Sequence, residues 1–226
     1  MLENSGNLLP IYLVADESAS MEDHLDQLND GLARLHEALL GEPMAAAKVR
    51  FSLLGFSNDV QLRIELADVR QEATLPLLQS RGSTAYGKVF QDLRARIPAD
   101  VAHLKSQGYA VHRPAVFFLS DGQPTDGHAW VQQRAQLIDR SVTPAAPNVI
   151  AFGIGSAVKA ETILAVATQQ DYAFITIDGV DLGSAIAQFC SALTRSIVQS
   201  GRSLGSHQPE LVVERPQGFK MAIDVV

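Results

Sequence analysis

Leu13-Val14-Ala15-Asp16-Glu17-Ser18-Ala19-Ser20 decides how this chain is read. An apolar run empties into an acid, hydroxyls follow at alternate positions, and a helical pattern begins at once. In an open α/β sheet, ligands bind outside the carboxyl ends of the strands, where the winding of the sheet reverses. The stretch would set one carboxylate and two hydroxyls at such an end. These are hard oxygen donors, the kind that Mg²⁺ and Ca²⁺ prefer.

Outward from this stretch, strand and helix patterns alternate. Ile11 to Ala15 is a short apolar run without alternation, as expected for a strand buried on both faces. Met21, Leu25, Leu28, Leu32, Leu35 and Leu39 recur at steps of three and four, an amphipathic helix closed by Gly41 and Pro43. Ser20 followed by Asp23 suits the start of that helix as a cap. A second buried strand is predicted over Val49 to Phe56. Val60, Leu62, Ile64 and Leu66 then alternate with polar neighbours, which predicts an antiparallel edge strand reached by a hairpin.

Glu72 to Gln79 reads as a short helix or turn. Gly82-Ser83-Thr84 leads into a helix with Val89, Phe90, Leu93 and Ile97 on its apolar face, where Pro98 predicts a break or kink. Ala115 to Leu119, the most apolar strand, empties into Ser120-Asp121-Gly122, so a second acid stands at a strand's carboxyl end. The helix after it should carry Trp130, Val131, Arg134, Leu137 and Ile138 on one side. Val149 to Ile154 and Tyr172 to Ile177 complete six predicted strands, with helices over Ala160 to Thr168 and from Leu182 to Ile197. The expected fold is a doubly wound, Rossmann-like α/β domain. Its sheet is mostly parallel and six-stranded, with one antiparallel edge strand and helices on both faces. The domain spans 9–200, and 201–226 is a tail in which Leu211-Val212-Val213 and Met221 to Val226 suggest a short hairpin.

Composition narrows the function. The 226 residues carry a formal charge of -7, against the Lys/Arg surplus that nonspecific nucleic-acid or anionic-membrane binding needs. One cysteine, Cys190, rules out an internal disulfide and suits a reducing compartment; with no leader-like or spanning segment, the expectation is a cytoplasmic protein. The histidines lack His-Glu-x-x-His spacing, which argues against zinc of that kind. Gly201-Arg202-Ser203-Leu204-Gly205 follows a helix where a nucleophile elbow needs a strand. Cys190 and Trp130 read as core residues.

Asp16, Ser18 and Ser20, then Thr84, then Asp121 are therefore the candidate metal residues, drawn from three separate loops. Singly, each has a simpler reading: Ser20 and Thr84 as helix caps, Ser18 and Asp121 as turn residues, as Asp126 is taken to be. Together, Asp16-Glu17-Ser18-Ala19-Ser20, Gly82-Ser83-Thr84 and Ser120-Asp121-Gly122 resemble the metal-ion-dependent adhesion site of von Willebrand factor type A (VWA) domains. Leu9-Pro10-Ile11-Tyr12-Leu13-Val14, Asp121-Gly122-Gln123-Pro124-Thr125-Asp126 and Phe152-Gly153-Ile154-Gly155 are similar to the bacterial TerY-like group, linked to tellurium resistance.

The resemblance implies a non-enzymatic protein-interaction module with Mg²⁺ (Mn²⁺ or Ca²⁺ in its place). Ser18 and Ser20 would bind the metal through Oγ, Thr84 directly or through water, and Asp16 and Asp121 mostly through water. A partner's Glu or Asp would complete the shell, and a kinase or phosphatase is the kind of partner the TerY-like group implies. Ala19 departs from the usual glycine and would be strained in a left-handed conformation. Two other readings stay open: a Mg²⁺-dependent phosphohydrolase with Asp16 as nucleophile, and a VWA-like scaffold without metal.

Overall fold

The computed structural model describes residues 6–206 and 209–224. Its first strand, β1 (Asn7–Asp16), is buried at every position after the first. The absence of alternation in the sequence has a direct cause. Leu9, Ile11, Leu13 and Ala15 enter one hydrophobic core, and Tyr12 and Val14 enter the other, on the opposite face of the sheet. β1 lies between two parallel neighbours, β2 (Val49–Phe56) and β5 (Ala115–Ser120), with Leu13 level with both Leu53 and Phe117.

The remaining strands extend the sheet on both sides. β3 (Val60–Ala67) pairs antiparallel with β2, as the alternating pattern predicts. Beyond β5 lie β6 (Asn148–Gly153) and β7 (Ala173–Thr176), both parallel. With β8 (Phe219–Met221) at the far edge, the spatial order is β3-β2-β1-β5-β6-β7-β8, and the two-residue β4 (Ala110–Val111) pairs with Asn7 and Leu8 of β1. The chain passes from β1 to β2 on one side and later to β5 on the other, so the winding reverses between β1 and β5.

Helices cover both faces. α1 (Leu25–Leu40) and α6 (Leu182–Ser203) pack together over one core, where Gly31 meets Cys190. The short α2 (Pro43–Ala46) lies beside α6. α3 (Tyr86–Ser106), α4 (Ala129–Ile138) and α5 (Ala160–Val166) cover the other core. The mostly parallel sheet flanked by helices on both faces is the architecture the sequence predicts. No helix among the described residues is long and apolar enough to cross a membrane.

Several details differ from the expectation. The sheet has eight strands, antiparallel at both edges, where six strands and one antiparallel edge were expected. The extra edge is β8 (Phe219–Met221), three residues too short to show a period, which pairs with β7. Leu211 to Val213 forms no strand. Val212 N donates to Ser200 Oγ (2.9 Å) and Glu214 N to Ser196 Oγ (2.9 Å), so hydroxyls of α6 stand in for a strand partner. Of the expected tail hairpin, Val225 and Val226 lie outside the described residues.

α3 runs unbroken through Pro98. A proline inside a helix costs about 3 kcal/mol. Val89, Phe90, Leu93 and Ile97 before it, and Val101 and Leu104 after it, bury one continuous face that offsets this cost. Residues 72–79 are irregular where a short helix or turn was expected, held by Asn29, which donates to Leu78 O and accepts from Leu78 N. Val131 is exposed while its neighbour Trp130 is buried, so the expected apolar side of α4 is narrower than its composition suggests.

Candidate metal centre

Asp16 ends β1 with its carboxylate fully buried. Ser18 N donates to Asp16 Oδ1 at 2.8 Å, and Ser120 Oγ donates to Asp16 Oδ2 at 2.5 Å. Parallel pairing of Ala15 with Leu119 brings Asp16 and Ser120 side by side across the switch point. Ser120 is thus a member of the cluster that the candidate set omitted, and the register that reveals it exists only in the folded sheet.

The two hydroxyls after Asp16 continue the ring. Ser18 Oγ lies 3.1 Å from Ser20 Oγ, and Ser20 Oγ donates to Asp121 Oδ1 at 2.9 Å. Ser20 was expected to cap the first helix with Asp23. Instead, a 3-10 turn over Ala19–His24 precedes α1, no side chain caps either, and the Ser20 hydroxyl turns to Asp121. Thr84 is buried on the Asp121 side, where its Oγ1 is 3.5 Å from the position a Cβ would take on Gly122. Thr84 O accepts Thr125 N (2.8 Å) and Thr125 Oγ1 (3.1 Å), and Tyr86 Oη donates to Gly122 O (3.0 Å). Asp16, Ser18, Ser20 and Asp121 are therefore joined through hydrogen bonds. Thr84 packs against the residue following Asp121.

Asp126 stands apart, as a cap. Its Oδ2 accepts Gly87 N at 2.6 Å in the first turn of α3. Ala19, where the resemblance would have glycine, has no positive φ, since among the described residues none other than glycine does. The expected strain therefore does not arise.

The electrostatics single out Asp16. Burial pushes its carboxyl up to about 6. The hydrogen bonds from Ser120 and Ser18 pull it back, and the nearby charge of Asp121 raises it further. Asp121 is also held above the usual carboxylate range by burial, against the pull of Ser20. Among the described residues, neither carboxylate has a Lys or Arg in an ion pair. The contrast with Glu17 is sharp. It is equally buried, yet it receives Arg63 Nη2 at 2.7 Å, Arg81 Nε at 2.7 Å and Gln79 N at 3.0 Å. Gly55 makes room for it, since a Cβ there would lie 2.3 Å from the carboxylate.

Arg81 N also donates to Glu17 O (2.6 Å), and Ala19 N donates to Gly82 O (3.0 Å), so the loop carrying Thr84 is tied to the loop carrying the serines. Asn58 Oδ1 accepts Ser83 N at 2.8 Å and steadies the same loop. Glu17, Arg63 and Arg81 are separated by tens of residues, and no local pattern links them.

The donor set consists of two carboxylates and three hydroxyls, all hard oxygens. Among the described residues no three His, Cys, Asp or Glu side chains gather as a metal cluster, so any cation here would be held largely by neutral oxygens. The set fits a hard divalent ion: two anionic groups offset its charge, and the hydroxyls add lone pairs without adding charge.

A cluster of hydrogen-bonded oxygens thus stands at the switch point of a doubly wound sheet. The family model of the von Willebrand factor type A domain matches residues 11–188, and this chain belongs to that family. A search of curated proteins gives no match. Among solved structures, proximal thread matrix protein 1 from the mussel byssus, with a zinc-occupied MIDAS motif, is similar at 15% identity and a TM-score of 0.60. That match covers 85% of this chain and 48% of the mussel chain. The pilus adhesin SpaC from Lactobacillus rhamnosus GG in its open conformation is similar at 14% identity and a TM-score of 0.64, over 85% and 30%. A von Willebrand factor type A structure from Catenulispora acidiphila is similar at 13% identity and a TM-score of 0.53, over 85% and 43%. This chain thus spans less than half the length of each. At these identities the likeness shows the fold.

Proposed function

We propose that this domain is a non-enzymatic, metal-dependent protein-interaction module. Asp16, Ser18, Ser20, Thr84 and Asp121 would hold Mg²⁺, or Mn²⁺ or Ca²⁺ in its place, and the ion would accept a Glu or Asp carboxylate from a partner protein. The carrying observation is the state of Asp16: a carboxylate with no exposure, at the switch point, bonded among the described residues by amide and hydroxyl groups and by no cation, and facing a second acid. A buried charge without an ionic partner is costly, and a divalent cation would offset that cost. The bound ion supplies positive charge. The protein's own part is to aim the oxygens and to hold the Thr84 loop through Glu17 and Arg81. Zinc joins the metals worth testing because the similar mussel protein carries it in such a motif.

The TerY-like motifs extend the proposal to a bacterial tellurium-resistance or stress-response system, cytoplasmic and linked to phosphorylation, with a kinase or phosphatase as partner. A phosphohydrolase using Asp16 is the weaker reading, because Ser18 stands where that chemistry needs an acid and both Asp16 oxygens already accept hydrogen bonds. A metal-free scaffold loses its one sequence argument with the negative φ of Ala19. Isothermal titration of chelator-stripped protein with Mg²⁺, Mn²⁺ and Zn²⁺ tests the proposal. Saturable binding to the wild type, lost in Asp16→Ala while far-ultraviolet dichroism is kept, is the expected result. Absence of binding to the wild type, or equal binding to the variant, overturns it.

A further inference from the structure

At the opposite end of the sheet lies a cavity of about 410 Å³, between the second half of α3, the β4–β5 connection and the loop from α4 to β6. Pro98, Val101, Pro114 and Pro144 give it an apolar lining. Lys105, Arg113 and Arg140 also line it, and no Asp or Glu among the described residues does. None of these three cations forms an ion pair among the described residues. The acids near them in sequence are engaged elsewhere. Asp139 accepts Ser141 N and Ser141 Oγ, and Asp100 accepts the Tyr12 hydroxyl.

In a chain of formal charge -7, three unpaired cations around one apolar hollow stand out against the overall balance. The groove beside the candidate metal centre has the reverse character. That cavity of about 530 Å³ is lined by Asp121 and Asp178, and by no Lys or Arg.

We propose that the cavity lined by Lys105, Arg113 and Arg140 docks an acidic peptide segment of a partner protein, with an aliphatic side chain in the proline-lined hollow and flanking carboxylates on the three cations. The size suits one side chain with its neighbouring backbone. The apolar lining favours an aliphatic anchor over a bare phosphate, and the chain's net negative charge disfavours a nucleic acid. Charge complementarity then sets register and speeds encounter, while the anchor supplies burial. The domain would thereby have two acid-accepting faces, one dependent on metal and one independent of it.

The test uses the full chain in excess EDTA, so that the metal face cannot contribute, and fluorescence anisotropy of a labelled Asp-Glu-Leu-Glu-Asp peptide. Saturable binding is expected. It should weaken roughly tenfold or more in R113Q/R140Q, weaken with added salt, and be lost in Ala102→Phe, which puts a ring into the cavity from an exposed position of α3. Lys105→Glu, a change at an exposed residue, should weaken it as well, which guards against a folding defect in the other variants. The proposal is overturned if the wild type does not bind, if the Asn-Gln-Leu-Gln-Asn peptide binds as well, or if the variants bind unchanged. Displacement by a short DNA duplex in preference to the acidic peptide overturns it too, as does sedimentation showing that the cavity is filled by a second copy of the chain.

Discussion

Asp16 and Glu17 are adjacent, equally buried and oppositely served. Glu17 takes two guanidinium groups and a backbone amide, and a glycine clears the space for it. Asp16 takes one amide and one hydroxyl and faces a second carboxylate. Glu17 is a finished ion-pair network that bolts the Ser18 and Thr84 loops together. Asp16 is a charge the fold leaves uncompensated by its own cations. One peptide bond thus separates a group spent on structure from the group proposed to hold a ligand, and burial alone does not tell them apart.

The largest effect should come from breaking the bolt. Glu17→Gln leaves Arg63 and Arg81, both only partly exposed, facing a neutral group, with Asp59 still on Arg81, and the expected loss of stability is about 3 kcal/mol or more, read by urea unfolding. If the loss is instead confined to metal affinity, the two neighbours are not divided as described. Next comes the pH dependence of the metal-free protein. The Asp16 pKa is raised from 3.8 to about 6, so between these values the folded state binds more protons than the unfolded one. Stability should therefore fall as pH rises through that window, by ~3 kcal/mol at about 1.4 kcal/mol per tenfold change. Unfolding curves in EDTA at about pH 4 and about pH 7 should show this fall, and Asp16→Asn should flatten it. The smallest effect should be that of Thr84→Ala. Metal affinity is expected to drop roughly tenfold, measured by calorimetry, with little change in the unfolding midpoint, because Thr125 bonds the Thr84 backbone oxygen and that atom is retained.

The legible parts of this molecule are those written in local periods. The apolar run of β1, the leucine stripe of α1 and the alternation of β3 each reflect a face or faces that the fold buries, so element order and winding could be read directly. The candidate oxygens were legible because they stand in short motifs, at the ends of β1 and β5 and in the loop before α3. What escaped was written across the sheet. Ser120 joins Asp16 through strand register, and Glu17 finds its arginines 46 and 64 residues away. Pro98 misled for a related reason. The local rule that ends a helix at proline was overridden by a buried face on both sides of it. The short β8 shows no period at all, and its place is set by pairing with β7 and by Phe219, which is buried against Phe152.

Where α1 crosses α6, a methyl group on Gly31 would come within 2.3 Å of the Cys190 sulfur. That sulfur is buried, and its pKa is pushed up to about 12, so the thiolate that alkylating or oxidising reagents attack is scarce at neutral pH. The chain's sole sulfhydryl therefore stays chemically silent while the two helices remain closed on each other. Labelling of it is expected to quicken when they part, which makes this residue a native gauge of breathing on that face of the sheet.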